Sequence, residues 1–143
     1  MRRFLLAVGL MAGTVAAGAS ENLMEEVGFF SFQAAQGYYL ALTVLSGTLI
    51  QNHGPANARA LARNSASALK RCEDAARLLE NRVSGSAQIS ARELTELYAS
   101  LKTYAQAILS YAETPNSDTL SRLQKQDTLS ADKIERFGQI PLE

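Results

Sequence analysis

Residues 90–111, SARELTELYASLKTYAQAILSY, decide the fold. Apolar side chains recur three and four residues apart along this stretch, which is the spacing of one face of an α-helix. Nearly three heptads of this pattern predict a helix that packs against other helices. The residues of this apolar seam are Leu94, Leu97, Leu101, Tyr104, Ile108 and Tyr111.

Both ends of this helix carry a sequence signal. Ser90 and Glu93 have the spacing of a capping box, in which each side chain accepts a hydrogen bond from a backbone N–H at the start of the helix. Pro115 prevents the helix from continuing, because its ring removes an N–H donor and clashes with the preceding turn. The sequence therefore predicts a helix over residues 90–113 that begins at the Ser90 cap.

Proline and glycine divide the rest of the chain into similar segments. Proline occurs only at positions 55, 115 and 141, and glycine after position 54 only at 85 and 138. Each segment has a helical period, and no run has the alternation of a β-strand. The predicted helices cover residues 21–52, 55–83, 90–113 and 117–138. Joined by short loops, they predict an all-α, antiparallel, up-down-up-down four-helix bundle that forms a single domain over residues 20–143.

The first nineteen residues predict a cleaved signal peptide. Arg2 and Arg3 form a positive start, residues 4–16 are apolar, and Ala17, Gly18 and Ala19 give the small-x-small pattern of a cleavage site. We therefore expect an exported protein, with a periplasmic or extracellular location.

Charge and cysteine content exclude several classes of protein. The chain has 14 Lys and Arg against 14 Asp and Glu. Nucleic-acid-binding domains usually carry a basic surplus, so no nucleic-acid partner is expected. The single cysteine, Cys72, excludes an intramolecular disulfide. We expect a buried thiol on the second helix or, in an oxidising compartment, an intermolecular disulfide.

The sequence has no pattern typical of catalysis, metal binding or cofactor binding. His53 is the only histidine, whereas a di-iron bundle needs paired Glu-x-x-His motifs and a structural zinc site needs several His or Cys ligands. A Gly-rich phosphate loop, a nucleophile elbow and a Cys-x-x-Cys-His haem motif are also missing. We therefore expect a non-catalytic protein without a cofactor.

The first predicted helix is unusual because residues 27–58 contain no Asp, Glu, Lys or Arg. Its apolar residues form two neighbouring stripes, and the remaining positions are mixed where a bundle helix usually has a hydrophilic outer face. One stripe contains Val27, Phe30, Ala34, Ala41 and Val44, and the other contains Met24, Ala35, Tyr38, Leu42, Leu45 and Leu49.

This composition predicts that the first helix is the core of the bundle and its contact with a protein partner or a second copy. The protein would then act by association, as an interaction protein. The predicted association surface is the mixed face, which contains Phe29, Phe32, Gln36, Tyr39, Leu40 and Thr43.

Two alternatives remain open for the first helix. Residues 27–50 are long enough to span a bilayer, with acidic residues before them and basic residues after them, which would give a small membrane-anchored subunit. Alternatively, the aromatic residues of the first and third helices line a pocket for an apolar ligand, and the protein is a carrier.

The second predicted helix carries a row of basic residues. Arg63, Lys70 and Arg77 recur every seven positions, and Arg59 lies one turn before them. These four residues are candidate contacts for an anionic partner, a lipid headgroup or a carboxylate ligand. The alternative is a solvated outer face that Asp74, four residues after Lys70, partly neutralises.

Overall fold

A computed structural model describes residues 21–51 and 54–138 and contains four α-helices in this part of the chain. They are α1 (Glu21–Ile50), α2 (Ala58–Glu80), α3 (Ser86–Glu113) and α4 (Ser117–Gly138). The described residues contain no strand, so the predicted all-α four-helix bundle is confirmed. The predicted signal peptide, residues 1–19, and His53 lie outside the described residues.

The side-chain contacts show the directions in which the helices run. Arg59 at the start of α2 donates a hydrogen bond to the carbonyl oxygen of Ala112 near the end of α3. At the opposite end, Arg92 near the start of α3 pairs with Glu80 at the end of α2. The two helices are therefore antiparallel. Contacts of the end of α4 with the first halves of α3 and α1 show that α4 is antiparallel to both of these helices.

The central helix of the bundle is α3. It packs against each of the other three helices, most extensively against α2. The seam predicted from the sequence is confirmed as its buried face, except that Tyr111 at its end is half-buried. The buried seam residues are Leu94, Leu97, Leu101, Tyr104 and Ile108.

The prediction that α1 is the core of the bundle is wrong. Only one face of α1 is buried among the other helices, and its opposite face is exposed. The absence of charge does not require burial, because apolar atoms make up more than half of a typical protein surface. An uncharged helix can therefore lie at the edge of a bundle. The buried residues of α1 are Ala35, Leu42, Leu45 and Ser46.

The start of α3 also differs from the prediction. The helix begins at Ser86, directly after Gly85, whose φ of 65° favours glycine. Ser90 is therefore inside the helix, and the predicted capping box is wrong. Glu93 instead lines a groove between α3 and α4. At the other helix boundaries, α2 is shorter than predicted at both ends, while α4 matches the predicted residues 117–138.

Candidate association surface

The inward face of α1 is attached to α3 by apolar packing and by two hydrogen bonds. The Tyr98 hydroxyl donates to the carbonyl oxygen of Ser31 at 2.8 Å. About four turns further along α1, the Ser46 Oγ lies 2.8 Å from the Tyr104 hydroxyl. Because these polar groups are paired inside the bundle, the orientation of α1 about its own axis is fixed.

A second side of α1 is attached to α4. The Phe32 ring stacks on Phe137 with 5.2 Å between the centroids. The Tyr39 hydroxyl donates to Asp127 Oδ1 at 3.2 Å, and its ring lies 6.2 Å from that of Tyr104. Phe32 and Tyr39 belong to the predicted association surface, but these contacts pack both half-buried side chains against the core of the bundle.

The remaining members of the predicted association surface divide between the two sides of the helix. Gln36 is half-buried, and so is Thr43, whose Oγ1 donates to the carbonyl oxygen of Tyr39. Phe29 and Leu40 are exposed, at 48% and 64% of their surface. Two of the six predicted residues therefore lie on the free side of α1.

The free side of α1 forms a continuous, mainly apolar surface, which we call the outward face. Its most exposed large apolar side chains, Phe30, Leu40 and Val44, expose 65%, 64% and 67% of their surface. Every one of its residues is uncharged and exposed. The outward face comprises Phe29, Phe30, Gln33, Ala34, Gly37, Leu40, Ala41 and Val44.

The sequence pattern places half of the outward face on one apolar stripe, but it does not show that this stripe is exposed. Phe30, Ala34, Ala41 and Val44 belong to the first apolar stripe of the helix, with intervals of four, seven and three residues that are typical of a helix seam. The second stripe has the same spacing, and its residues from Ala35 to Leu49 pack into the bundle. The pattern alone shows two candidate seams; the contacts with α3 and α4 decide which one is covered.

Gly37 lies in the middle of the outward face, where the chain leaves open space for a side chain. A Cβ added at this position would meet no atom within 4 Å. Glycine in a helix interior costs about 0.5–1 kcal/mol relative to alanine. With Ala34 and Ala41 one turn to either side, it leaves a shallow depression at which another helix can approach closely.

The first two residues of the predicted anion site contact the C-terminal end of α3. Arg59 Nε donates to the Ala112 carbonyl oxygen at 3.0 Å. Arg63 pairs with Glu113 at 3.4 Å, with both side chains largely exposed. These contacts attach the start of α2 to the end of α3 at the surface of the bundle.

The other two predicted anion contacts pair with carboxylates on α2 itself. Lys70 bonds Asp74, and this hydrogen bond holds the pKa of the Asp74 carboxyl below its usual value. Arg77 Nη2 lies 3.0 Å from Glu73 Oε1, and Lys102 from α3 lies 2.6 Å from Glu73 Oε2. These pairs favour the solvated, partly neutralised face over an anion site.

Cys72 is a free thiol at the edge of the core. It is half-buried, and this burial raises the pKa of the thiol because the thiolate is poorly solvated there. Its location favours the unreactive thiol over an intermolecular disulfide.

Two grooves among the described residues lie away from the aromatic residues that the carrier alternative requires. An open groove of about 320 Å³ is lined by α3 and α4 residues that include Ser100 and Lys133. A smaller one of about 70 Å³ adjoins it. In contrast, Tyr98 and Tyr104 are buried in the core, and Phe30 is exposed on α1.

Within residues 21–51 and 54–138, no group of three or more His, Cys, Asp or Glu side chains is placed to hold a metal ion. No helix of this part, including the predicted span at 27–50, combines the length and apolarity needed to cross a membrane. Comparison with known proteins gives no matching family model, curated protein or solved structure.

Proposed function

We propose that this protein is an exported helical bundle that acts by non-catalytic association, with the outward face of α1 as its binding surface for a protein partner. The observation that carries this proposal is the two-thirds exposure of Phe30, Leu40 and Val44 on one uncharged helix face. Contiguous apolar surface of this kind on a soluble bundle is typical of an interaction site, because it is costly to leave in contact with water.

The shape of this surface favours a protein partner over a small apolar ligand. Small molecules bind in concave sites that cover most of their surface. The outward face is the convex side of a helix, with its depression at Gly37 only one side chain deep. A helix of a partner protein fits such a surface, because side chains on each helix fill the spaces between side chains on the other.

The charge distribution favours a protein partner over a lipid surface. Helices that lie on membranes usually carry Lys and Arg along the border of their apolar face, where they meet anionic headgroups. Residues 27–58 contain no charged residue, and the acidic Glu26 is exposed beside the N-terminal end of the face. This end of α1 would be repelled by an anionic bilayer.

Site-specific photo-crosslinking tests the proposal. A photoreactive amino acid replaces Leu40 in the full 143-residue chain expressed in cells, and the same amino acid replaces the exposed Gln106 on α3 as a matched control. We expect Leu40 to give one discrete protein adduct that Gln106 does not give. Adding Val44→Glu should abolish the adduct, because a charge on the outward face cannot be desolvated without cost.

Mass spectrometry of the same samples distinguishes the alternatives. A mature chain that starts at Ser20 supports export, and one that retains Met1 contradicts it. An adduct of lipid mass supports the membrane-anchored alternative, and an adduct of a small apolar molecule supports a carrier. Either result, or an adduct that Val44→Glu leaves unchanged, would overturn association through the outward face.

A further inference from the structure

We propose that the partner of the outward face is a second copy of this chain, in a two-fold dimer whose α1 helices pack antiparallel with Gly37 at the axis. This inference rests on the proposed function, and it specifies the occupant of the surface. Three features support it: the area available, the charge at the end of α1, and the order of large and small residues about Gly37.

The available area is that of a small specific dimer. The outward face extends about 21 Å from Phe30 to Val44 at the helical rise of 1.5 Å per residue. Phe30, Leu40 and Val44 leave about two thirds of their surface uncovered. With the smaller residues between them, each of the two chains can bury roughly 600 Å². This area per partner is near the lower limit for a specific interface. We therefore expect a reversible dimer with micromolar affinity.

The charge at the N-terminal end of α1 selects the antiparallel arrangement. Glu26 is exposed, and Glu21 and Glu25 precede it in the sequence. A parallel pair would bring these acidic turns of both chains together. An antiparallel pair about Gly37 separates the two Glu26 residues by about 33 Å along the helix axis. That distance exceeds the range of screened charge interactions at physiological salt, so the repulsion disappears.

The order of residues about Gly37 is self-complementary in the antiparallel arrangement. Phe30 lies seven residues before Gly37 and faces the partner's Val44, which lies seven residues after it. Ala34 lies beside the partner's Leu40, so the small residue leaves room for the large one. At the axis, the two Gly37 residues allow close approach of the backbones. This explains why a glycine with open space around it occupies the middle of a helix.

The oligomeric state of the purified protein is the primary test. The full chain is expressed, and its mass after purification is recorded so that any processing is known. Sedimentation velocity over about 1 to 300 µM should show a concentration-dependent monomer–dimer equilibrium. Gly37→Leu should raise the dissociation constant at least about tenfold, because its side chain keeps the two backbones apart.

The Gly37→Leu variant tests association separately from folding. Its Cβ meets open space within the chain, and leucine forms helices better than glycine. The melting temperature of the monomer should therefore be equal or higher while the dimer is lost. Two controls should leave the dimer intact. Gly47→Ala also adds a Cβ in open space on α1, and Ser121→Leu adds the same side chain to an exposed position on α4.

Engineered cysteines test the antiparallel arrangement in a Cys72→Ala background. An equimolar mixture of Gln33→Cys and Ala41→Cys chains should form a disulfide between the two variants. Ala41→Cys chains alone should not form one, because position 41 of one chain and position 41 of the other lie about 12 Å apart along the axis of an antiparallel pair. A disulfide needs Cα atoms within about 7 Å. Crosslinking of Ala41→Cys with itself, in place of the mixed pair, would contradict the proposed geometry.

The outcomes separate this inference from the proposed function. A wild-type protein that stays monomeric at about 300 µM overturns the dimer. So does a Gly37→Leu variant that associates like the wild type. If the Leu40 crosslink then joins a different protein, association through the outward face stands and only the identity of the partner is wrong. If the Leu40 adduct is lipid, or if none forms, both proposals fail.

Discussion

The Tyr104 hydroxyl lies 2.8 Å from the Ser46 Oγ in the buried contact between α3 and α1. Ser46 donates its own hydrogen to the carbonyl oxygen of Thr43, at 3.0 Å. The tyrosine hydroxyl is therefore the donor in the bond between the helices. Together with the packing of α1 against α3 and α4, this bond holds α1 in the rotation that leaves the outward face exposed.

Tyr104→Phe should lower the free energy of unfolding by about 1 kcal/mol, because it removes this hydrogen bond and leaves the ring in place. Urea unfolding measures the change. Tyr111→Phe is the matched control, since the Tyr111 hydroxyl is on the same helix, is half-buried and has no hydrogen-bond partner among the described residues. We expect it to change the stability by less than about 0.5 kcal/mol. Equal losses in both variants would show that the bond to Ser46 contributes nothing.

The buried tyrosines predict a loss of stability at alkaline pH. Burial is the main cause that raises the pKa of Tyr104 to about 12, and burial also raises the pKa of Tyr98 above its ordinary value of 10. In the unfolded chain both phenols ionise near pH 10. Their contribution to stability is therefore fully present below pH 10 and is lost as the pH rises towards the folded-state values.

In a Cys72→Ala background, which removes the thiol whose pKa burial also raises, we expect the free energy of unfolding to be level between pH 8 and 9.5. Above pH 10 it should fall by up to about 1.4 kcal/mol per pH unit for each tyrosine. Urea unfolding at a series of pH values measures the slope. The variant Tyr98→Phe/Tyr104→Phe should have a shallower slope above pH 10, although its stability at pH 8 is lower. The same slope in both proteins would assign the alkaline loss to other groups.

Glu73 is a carboxylate buried between α2 and α3. Its side chain is 7% exposed and bonds Lys102 at 2.6 Å and Arg77 at 3.0 Å. Glu73→Ala removes the acceptor from the ammonium group of Lys102, which is itself 22% exposed. Because a buried charge without a partner is costly, the free energy of unfolding should fall by about 3 kcal/mol.

A second variant distinguishes the net contribution of the ion pair to stability from the cost of leaving one of its charges unpaired. Glu73→Leu/Lys102→Met replaces both charges with apolar side chains of similar size and should be within about 1 kcal/mol of the wild type. As a surface control, Arg63→Ala removes an exposed pair with Glu113 and should cost less than about 1 kcal/mol. If the double variant lost as much stability as Glu73→Ala, the pair itself would be strongly stabilising.

The helices of this fold could be predicted because their signal is local. The spacing of Leu94, Leu97 and Leu101 gives both the helix and its buried face within one segment, and the structure confirms both. The start of α3 could not be predicted in the same way. Ser90 and Glu93 have the spacing of a cap, but the backbone at Gly85 starts the helix four residues earlier.

The outward face could be predicted only in part, because burial on α1 depends on contacts that are distant in sequence. The two apolar stripes have equivalent spacing, and the hydrogen bond between Ser46 and Tyr104 joins residues 58 positions apart. Phe32 similarly contacts Phe137 at the far end of α4. Periodicity shows that α1 has two apolar sides, and only the packing of α3 and α4 determines which one remains exposed.

Leu40 and Leu42 provide a matched pair for the last prediction, since they lie two residues apart on α1 with opposite burial. Leu42 is 1% exposed and Leu40 is 64% exposed. Leu42→Ala should lower the free energy of unfolding by about 2–5 kcal/mol, because it leaves a cavity in the core. Leu40→Ala should change the monomer by less than about 0.5 kcal/mol.

The same two variants should affect the dissociation constant of the dimer in the opposite order. Leu40→Ala removes a large side chain from the outward face, so the dissociation constant of the proposed dimer should rise several-fold. Leu42→Ala should leave it unchanged under conditions in which the variant is fully folded. Urea unfolding at low protein concentration measures the first quantity, and sedimentation velocity measures the second. A stability loss from Leu40→Ala as large as that from Leu42→Ala would mean that the outward face is buried within a single chain, which would remove the basis for association through it.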